Sequence, residues 1–430
     1  MPRIFPDKSG AAQMLLSPYR VLDLTDQRGL LCGKILADLG ADVIQIEPPG
    51  GSPARELGPF FHDEAEPEKS LFWWAYATNK RGITLDIESS SGKGLLLKLV
   101  KDADFVIESF SPGYLDGLGL GYSALAETNP SLVMVSISPF GKDGPFADYN
   151  APDIVGTAMS GFMWLTGDSN RPPVRVSFPH FYLHGAAAGS TGAMLANAHR
   201  VLTGEGQYVD VSCQQAVART LAHAPQHWDV EGNILTRNGV YRQTAGDSLV
   251  RTSWPCKDGF INYSPGGGGA GVAASTRALL AWMDDEGLGD EFLESVDWED
   301  LGYGQMRSEI MDKAVDPLIR FFATHTRAEL VAGSVEKRIL LFPVSTQEDI
   351  LAHPQLEARG YFKELEHPEL GITATYPGLF IKDRDRDTES QRMGIRRRPP
   401  LIGEHNREIY QGELAMSDGE LSELSAGGVI

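Results

Sequence analysis

The stretch Arg20–Glu47, RVLDLTDQRGLLCGKILADLGADVIQIE, decides the fold. Arg20–Leu24 reads as a short strand. Gly29 to Leu39 then places Leu30, Leu31, Ile35, Leu36 and Leu39 at helical spacing, and Gly40 suits the end of that helix. Val43–Glu47 reads as a second strand, stopped by Pro48-Pro49-Gly50-Gly51. Strand, helix and strand in that order make a βαβ unit, which requires a parallel sheet with a right-handed crossover. The unit recurs: a strand at Gly82–Asp86, a helix at Gly92–Lys101, a strand at Asp104–Glu108, a helix from Tyr122 and a strand at Leu132–Ile137. The expected fold class is α/β, a Rossmann-like doubly wound domain. The turn after the first strand is Thr25-Asp26-Gln27-Arg28-Gly29, with no GxGxxG, and no GxxxxGK[ST] follows any strand. Neither a dinucleotide site nor a P-loop is expected.

Beyond Gly204 the texture changes. A strand at Gln207–Val211 and a helix at Gln214–His223 precede a polar crossing segment from Pro225 to Ser248. A short strand at Phe260–Tyr263, the glycine run Gly266, Gly267, Gly268 and Gly269, and acidic helices at Thr276–Glu294 and Ser308–Thr324 read as a smaller α+β domain. From Phe342 the tail reads as short strands and loops. The expected division is residues 1–230 and 341–430 for the large domain and 231–340 for the small one.

The chain has 430 residues, 42% hydrophobic and 22% charged, which suits a soluble globular protein. Lys plus Arg number 38 against 58 Asp plus Glu, a formal charge of −20. Such a field repels phosphate backbones and anionic lipid, so neither nucleic acid nor membrane is an expected partner. Cys32, Cys213 and Cys256 lie far apart without metal-ligand spacing, and read as buried thiols in a reducing, cytoplasmic compartment. No metal or prosthetic group is expected. No secretory leader or apolar run of about 20 residues is visible. Arg396-Arg397-Arg398 reads as a solvated face, and Trp73-Trp74 with Tyr76 as a core or interface cluster.

Several further stretches resemble the class III CoA-transferases. They are Ala37–Pro48 (ADLGADVIQIEP), Asn79–Asp86 (NKRGITLD), Glu108–Gly113 (ESFSPG), Pro152-Asp153-Ile154-Val155, Ser160-Gly161 through Thr166-Gly167, the tetraglycine run and Gly403-Glu404-His405. They fall in the family's order over roughly residues 19 to 410. The resemblance implies a large domain built from N- and C-terminal parts, a small domain, and an interlocked dimer. It also implies a reaction in which an Asp carboxylate attacks an acyl-CoA thioester, giving a mixed anhydride and then an enzyme thioester. An acceptor carboxylate finally collects the CoA.

The departures from the family pattern carry the functional reading. Aligned from Pro172-Pro173, the family's nucleophile falls on Tyr182, and no Asp or Glu occurs between Asp168 and Glu205. A phenol, with a pKa near ~10, forms neither an acyl anhydride nor a CoA thioester. Where the resemblance places CoA-binding cations and an amide, this chain has Pro48, Glu88, Gly117 and Ser109. The resemblance sets Gln27, Leu85, Ser109 and Phe110 along the CoA cleft, as vestiges or in service of a partner. It makes Gly266–Gly269 a flap whose backbone N–H groups meet developing oxyanions. Asp153 is either a vestigial acidic partner of the nucleophile or a helix N-cap before Ile154-Val155. His180 and His184 share helical spacing but lack a carboxylate or thiol to complete a constellation, so they read as packing residues. Pro152 stands where the racemase branch keeps a His, which argues against racemisation.

The expected role is therefore a subunit without catalytic residues of its own, in a heteromeric class III CoA-transferase. Its partner is a homologous Asp-bearing chain, and its complex takes a CoA thioester as substrate. Likeness within the family points to succinyl-CoA as donor and an aromatic succinate as acceptor. Two alternatives stand beside it: an independent homodimeric CoA-ester isomerase or transferase using a relocated carboxylate such as Asp153, and a binding module without turnover.

Overall fold

The structure, a computed structural model, describes residues 14–17, 19–243, 248–266, 270–301, 307–382 and 393–430. The described residues fall into two compact units, one from Met1–Ser160, Ser177–Thr220 and Pro354–Ile430, the other from Gly161–Val176 and Leu221–His353.

The first unit is built on a six-stranded parallel sheet of β1 (Arg20–Leu24), β2 (Asp42–Glu47), β3 (Arg81–Thr84), β4 (Phe105–Glu108), β5 (Val133–Ser138) and β6 (Gln207–Ser212). Their order is 3-2-1-4-5-6, the doubly wound arrangement expected from the βαβ repeat. Its helices are α1 (Leu30–Asp38), α2 (Leu71–Ala77), α3 (Ser90–Val100), α4 (Tyr114–Gly117), α5 (Tyr122–Thr128), α6 (Asp153–Met159), α7 (Phe181–Thr203) and α8 (Cys213–Thr220). The strands are apolar on both faces, as a sheet covered on two sides requires: Val106, Ile107, Val133 and Val135 are all at most 1% exposed. Trp73 and Trp74 are buried against Tyr376 and Ile395, which settles them as core.

One charged network lies inside this core. Lys80 Nζ donates to Asp23 Oδ2 at 2.8 Å, Gln45 Oε1 at 2.9 Å and the Leu30 carbonyl at 3.0 Å, and neither charged side chain is exposed. The helix α1 can approach this closely only because residue 33 is glycine; a Cβ there would stand 1.9 Å from Asp23 Oδ2.

The C-terminal part of the chain returns to the same unit, as the family resemblance implied. Asn79 Oδ1 accepts from the N–H groups of Arg396 and Arg397, Gly82 N–H donates to His405 Nδ1, and Tyr410 Oη donates to the Thr84 carbonyl. The arginine cluster is not simply solvated. Arg396 donates to the Gly394 and Ala37 carbonyls, and Arg398 pairs with Glu404 and Glu369.

The second unit carries α9 (His223–Glu231), the strands β7 (Tyr241–Gln243), β8 (Leu249–Arg251), β9 (Ser253–Cys256) and β10 (Gly259–Tyr263), and the helices α10 (Ala270–Asp285), α11 (Glu291–Ser295), α12 (Ser308–Ala323) and α13 (Arg327–Lys337). After β11 (Leu341–Pro343) and α14 (Gln347–Leu351) the chain leaves it. In the first unit follow α15 (Pro354–Ala358), the hairpin β12 (Phe362–His367) and β13 (Ile372–Pro377), a π-helical turn at Arg407–Glu413 and α16 (Asp418–Ala426). The core of the second unit packs Trp254, Tyr263, Phe321 and Phe322.

Three elements differ from the sequence reading. The segment expected to cross as polar coil begins with α9, a helix with no buried residue and hence no apolar stripe to announce it. The single helix expected at Thr276–Glu294 is two, because Gly287 takes φ +70° and Asp290 starts a new helix with its side chain on Leu293 N–H. The tail ends in α16, whose Ser417 and Glu420 form a reciprocal capping box.

Candidate functional site

In a doubly wound sheet the chain leaves the two central strands in opposite directions, and the crevice outside their carboxyl ends is where ligands bind. Here that point lies between β1 and β4. A cavity of about 400 Å³ opens there, walled by residues that follow β1 through β4. Leu24, Ile46, Leu85, Ile87, Pro48 and Pro53 supply carbon surface, and the Phe110 and Tyr114 rings stack with centroids 4.7 Å apart. The polar lining is Thr25, Ser52 and the carboxylates Asp26, Glu47, Asp86 and Glu88; among the described residues no Lys or Arg lines it.

Two of those four carboxylates are matched. Asp26 holds Arg28 through Nη2 at 2.8 Å and Nε at 2.9 Å, and Glu47 holds the buried Arg55 through Nη2 at 2.8 Å and Nε at 2.6 Å. Among the described residues Glu88 accepts from the Tyr114 hydroxyl at 2.6 Å, and Asp86 Oδ1 from the Glu88 N–H at 3.0 Å. Of the sequence candidates, Leu85 is 2% exposed and forms part of the wall. Ser109 donates to Asp26 Oδ1 at 3.0 Å and accepts from Asp26 N–H at 3.1 Å, so it braces the β1 turn. Gln27 buries its Oε1 without a hydrogen-bond donor among the described residues. Gly117 closes α4.

Tyr182 is the second residue of α7. Its Oη donates to the Ala151 carbonyl at 2.6 Å. Burial pushes its pKa well above the usual phenol value; the nearby Cys213 thiol adds to the rise and Arg28 opposes it. The hydroxyl is thus a protonated donor locked to backbone. Asp153 is not the N-cap of its own helix: Pro152 holds that place, and Asp153 is the first helical residue of α6. Its Oδ1 accepts instead from the backbone N–H groups of His180 (2.8 Å) and Phe181 (2.9 Å), capping α7 across the gap. His180 precedes the first turn of α7 and His184 lies within it, their rings 5.4 Å apart. Burial, and then His180, lower the pKa of His184.

Gly266 lies in the second unit, where its N–H donates to Thr276 Oγ1 at 3.2 Å. Gly267, Gly268 and Gly269 lie outside the described residues. Cys32 and Cys213 are buried, whereas Cys256 is half-exposed, contrary to its reading as a buried thiol. Among the described residues no group of three or more His, Cys, Asp or Glu is placed to hold a metal ion. No described helix is long and apolar enough to cross a membrane.

One residue of chemical weight escaped the sequence reading. Glu108 closes β4 at 5% exposure, with Phe110 N–H donating to its Oε2 at 2.7 Å. Burial raises its carboxyl to about 8, against the opposing pull of that N–H, Arg28 and Lys142. It lines a cavity of about 20 Å³ together with Lys142, Tyr208 and Asp210. The available signal was a carboxylate at the end of an otherwise apolar strand, FVIE.

The site and the fold meet in comparisons with known proteins. The sequence profile of CoA-transferase family III matches residues 16–406, and the chain belongs to that family. Among its relatives, succinyl-CoA:(R)-benzylsuccinate CoA-transferase subunit BbsE of Thauera aromatica is 36% identical, over 91% of this chain and 93% of that one. Formyl-CoA:oxalate CoA-transferase of Streptomyces avermitilis is 30% identical, over 96% and 99%. A crystal structure of a CaiB/BaiF family protein from Brucella suis superposes with a TM-score of 0.77 at 26% identity, over 93% of this chain and 99% of that one.

Proposed function

We propose that this chain is the subunit without a nucleophile in a heteromeric class III CoA-transferase, interlocked with a homologous subunit that bears the Asp. Tyr182 is the observation that carries the reading. At the position that, counted from Pro172-Pro173, the family resemblance gives to the acylated carboxylate, the chain presents a phenol hydrogen-bonded to the Ala151 carbonyl. A carboxylate attacking a thioester carbonyl expels CoA thiolate and leaves an anhydride that the thiolate can reopen; a protonated phenol offers no such route. The cavity lining adds support, since among the described residues a CoA diphosphate entering it meets carboxylates and no lining Lys or Arg. The relocated-carboxylate alternative gains nothing from Asp153, whose Oδ1 serves two backbone N–H groups.

The Thauera aromatica relative is named as a subunit, and the substrates in its name suggest succinyl-CoA as donor and an aromatic succinate as acceptor for the complex. The test is transfer of CoA from succinyl-CoA to benzylsuccinate by the chain alone, by an Asp-bearing homologue alone, and by the two co-expressed. Activity is expected only with the partner present. Hydroxylamine trapping should mark the partner's carboxylate and no residue of this chain. Tyr182→Phe should leave the rate of the complex within about twofold, because no transferring bond passes through the hydroxyl. Turnover by the purified chain alone, or trapped acyl on it, would overturn the proposal.

A further inference from the structure

We propose that the cavity at the carboxyl ends of β1 to β4 binds a small aromatic molecule bearing a positive charge, an arylalkylammonium, and rejects anions of the same shape. The inference rests on the reading that this chain no longer takes CoA there, and it names what the altered walls suit instead.

The size comes first. About 400 Å³ is enough for a single ring with a short side chain and lies within the usual range of small-molecule sites. The surface comes second. Ile46, Leu85 and Ile87 line the cavity with aliphatic carbon, and the stacked Phe110 and Tyr114 rings offer the electron-rich faces that attract both another ring and a cation. The charge comes third. Arg28 neutralises Asp26 and Arg55 neutralises Glu47, so those pairs leave little net field. Asp86 and Glu88 are the remainder: both line the cavity, and among the described residues neither forms an ion pair. Asp86 is half-buried, so water screens it less than the exposed Glu88.

An ammonium group reaching these two carboxylates, with its ring over the aromatic pair, satisfies all three conditions. A carboxylate or phosphate in the same place meets two like charges and, among the described residues, no lining Lys or Arg to compensate them.

The test uses the full chain and three probes of matched shape, 2-phenylethylammonium, 3-phenylpropanol and 3-phenylpropionate, with CoA as a fourth. Binding is read by ligand-observed NMR and calorimetry. The ammonium probe should bind best, the alcohol more weakly and the carboxylate not at all, with ammonium affinity falling as salt rises. Asp86→Asn should weaken the ammonium probe about tenfold and Glu88→Gln about threefold, with the alcohol unchanged and the far-ultraviolet circular dichroism of both variants native.

Equal binding of carboxylate and ammonium, indifference of the ammonium to both substitutions, or no ammonium binding by the folded chain would each overturn the inference. Those results leave the subunit proposal standing, since that depends on transfer assays of the complex. CoA binding in this cavity would overturn the inference and also remove the electrostatic support for the proposed function.

Discussion

Glu108 shows how far one position can be driven by its surroundings. An ordinary glutamate, near 4.5, is raised to about 8 because its charge would have to sit inside the sheet. Between those two values the folded chain holds a proton that the unfolded chain has released. The associated stability is complete below about 4.5, declines as pH rises, and is lost once pH passes about 8. Glu108→Gln keeps the shape and removes the titration. Urea unfolding at pH 5.5 and at pH 8 should therefore show the variant gaining on the parent by up to about 1.4 kcal/mol per pH unit. A stability difference that is the same at both pH values would refute the burial argument. Tyr182 is the counterpart: burial there only strengthens a group that is already protonated, so neutral pH finds it a fixed donor.

Among the elements, α7 depends on a neighbour for its start. Its own flanking residue His180 makes no side-chain capping bond, and its first turn has no acidic residue to meet the helix dipole. Asp153, on α6, supplies both the acceptor and the negative charge. Asp153→Ala should cost about 1–2 kcal/mol and speed hydrogen exchange at the His180 and Phe181 amides, whereas Asp153→Asn, which keeps an acceptor, should cost less. The helices meet closely at this point: a Cβ on Gly156 would stand 2.3 Å from the Phe181 ring. Unchanged exchange in Asp153→Ala would mean that the cap contributes nothing.

The whole first unit is pinned by the Lys80–Asp23 pair, which ties β1, β2 and the entry to β3 in a region closed to water. Removing one partner leaves the other charge buried and uncompensated. Lys80→Met should lower unfolding stability by about 3–5 kcal/mol, and adding Asp23→Leu should recover a large part of it by removing the stranded charge. If the double variant is less stable than Lys80→Met alone, the bonds from Asp23 to Thr25 outweigh that charge.

The alternation of strand and helix in Arg20–Glu47, and its repeats, were enough to specify a doubly wound parallel sheet, because local periodicity is set by which side chains must leave water. The family resemblance came from the motifs spread along the chain, and the strand order from the fold. Gly40 at the end of α1, with φ +109°, was equally legible, since it depends on what one residue can adopt. Tertiary structure alone decided the rest. The helix α9 has no buried face, so no pattern marked it. Asp153 serves a helix 27 positions further along the chain. Glu108 owes its raised carboxyl to strands and loops far from it in sequence, and the cavity takes its charge from which carboxylates find an arginine and which do not. Desolvation and charge pairing depend on distances through space, and those distances exist only once the chain has folded.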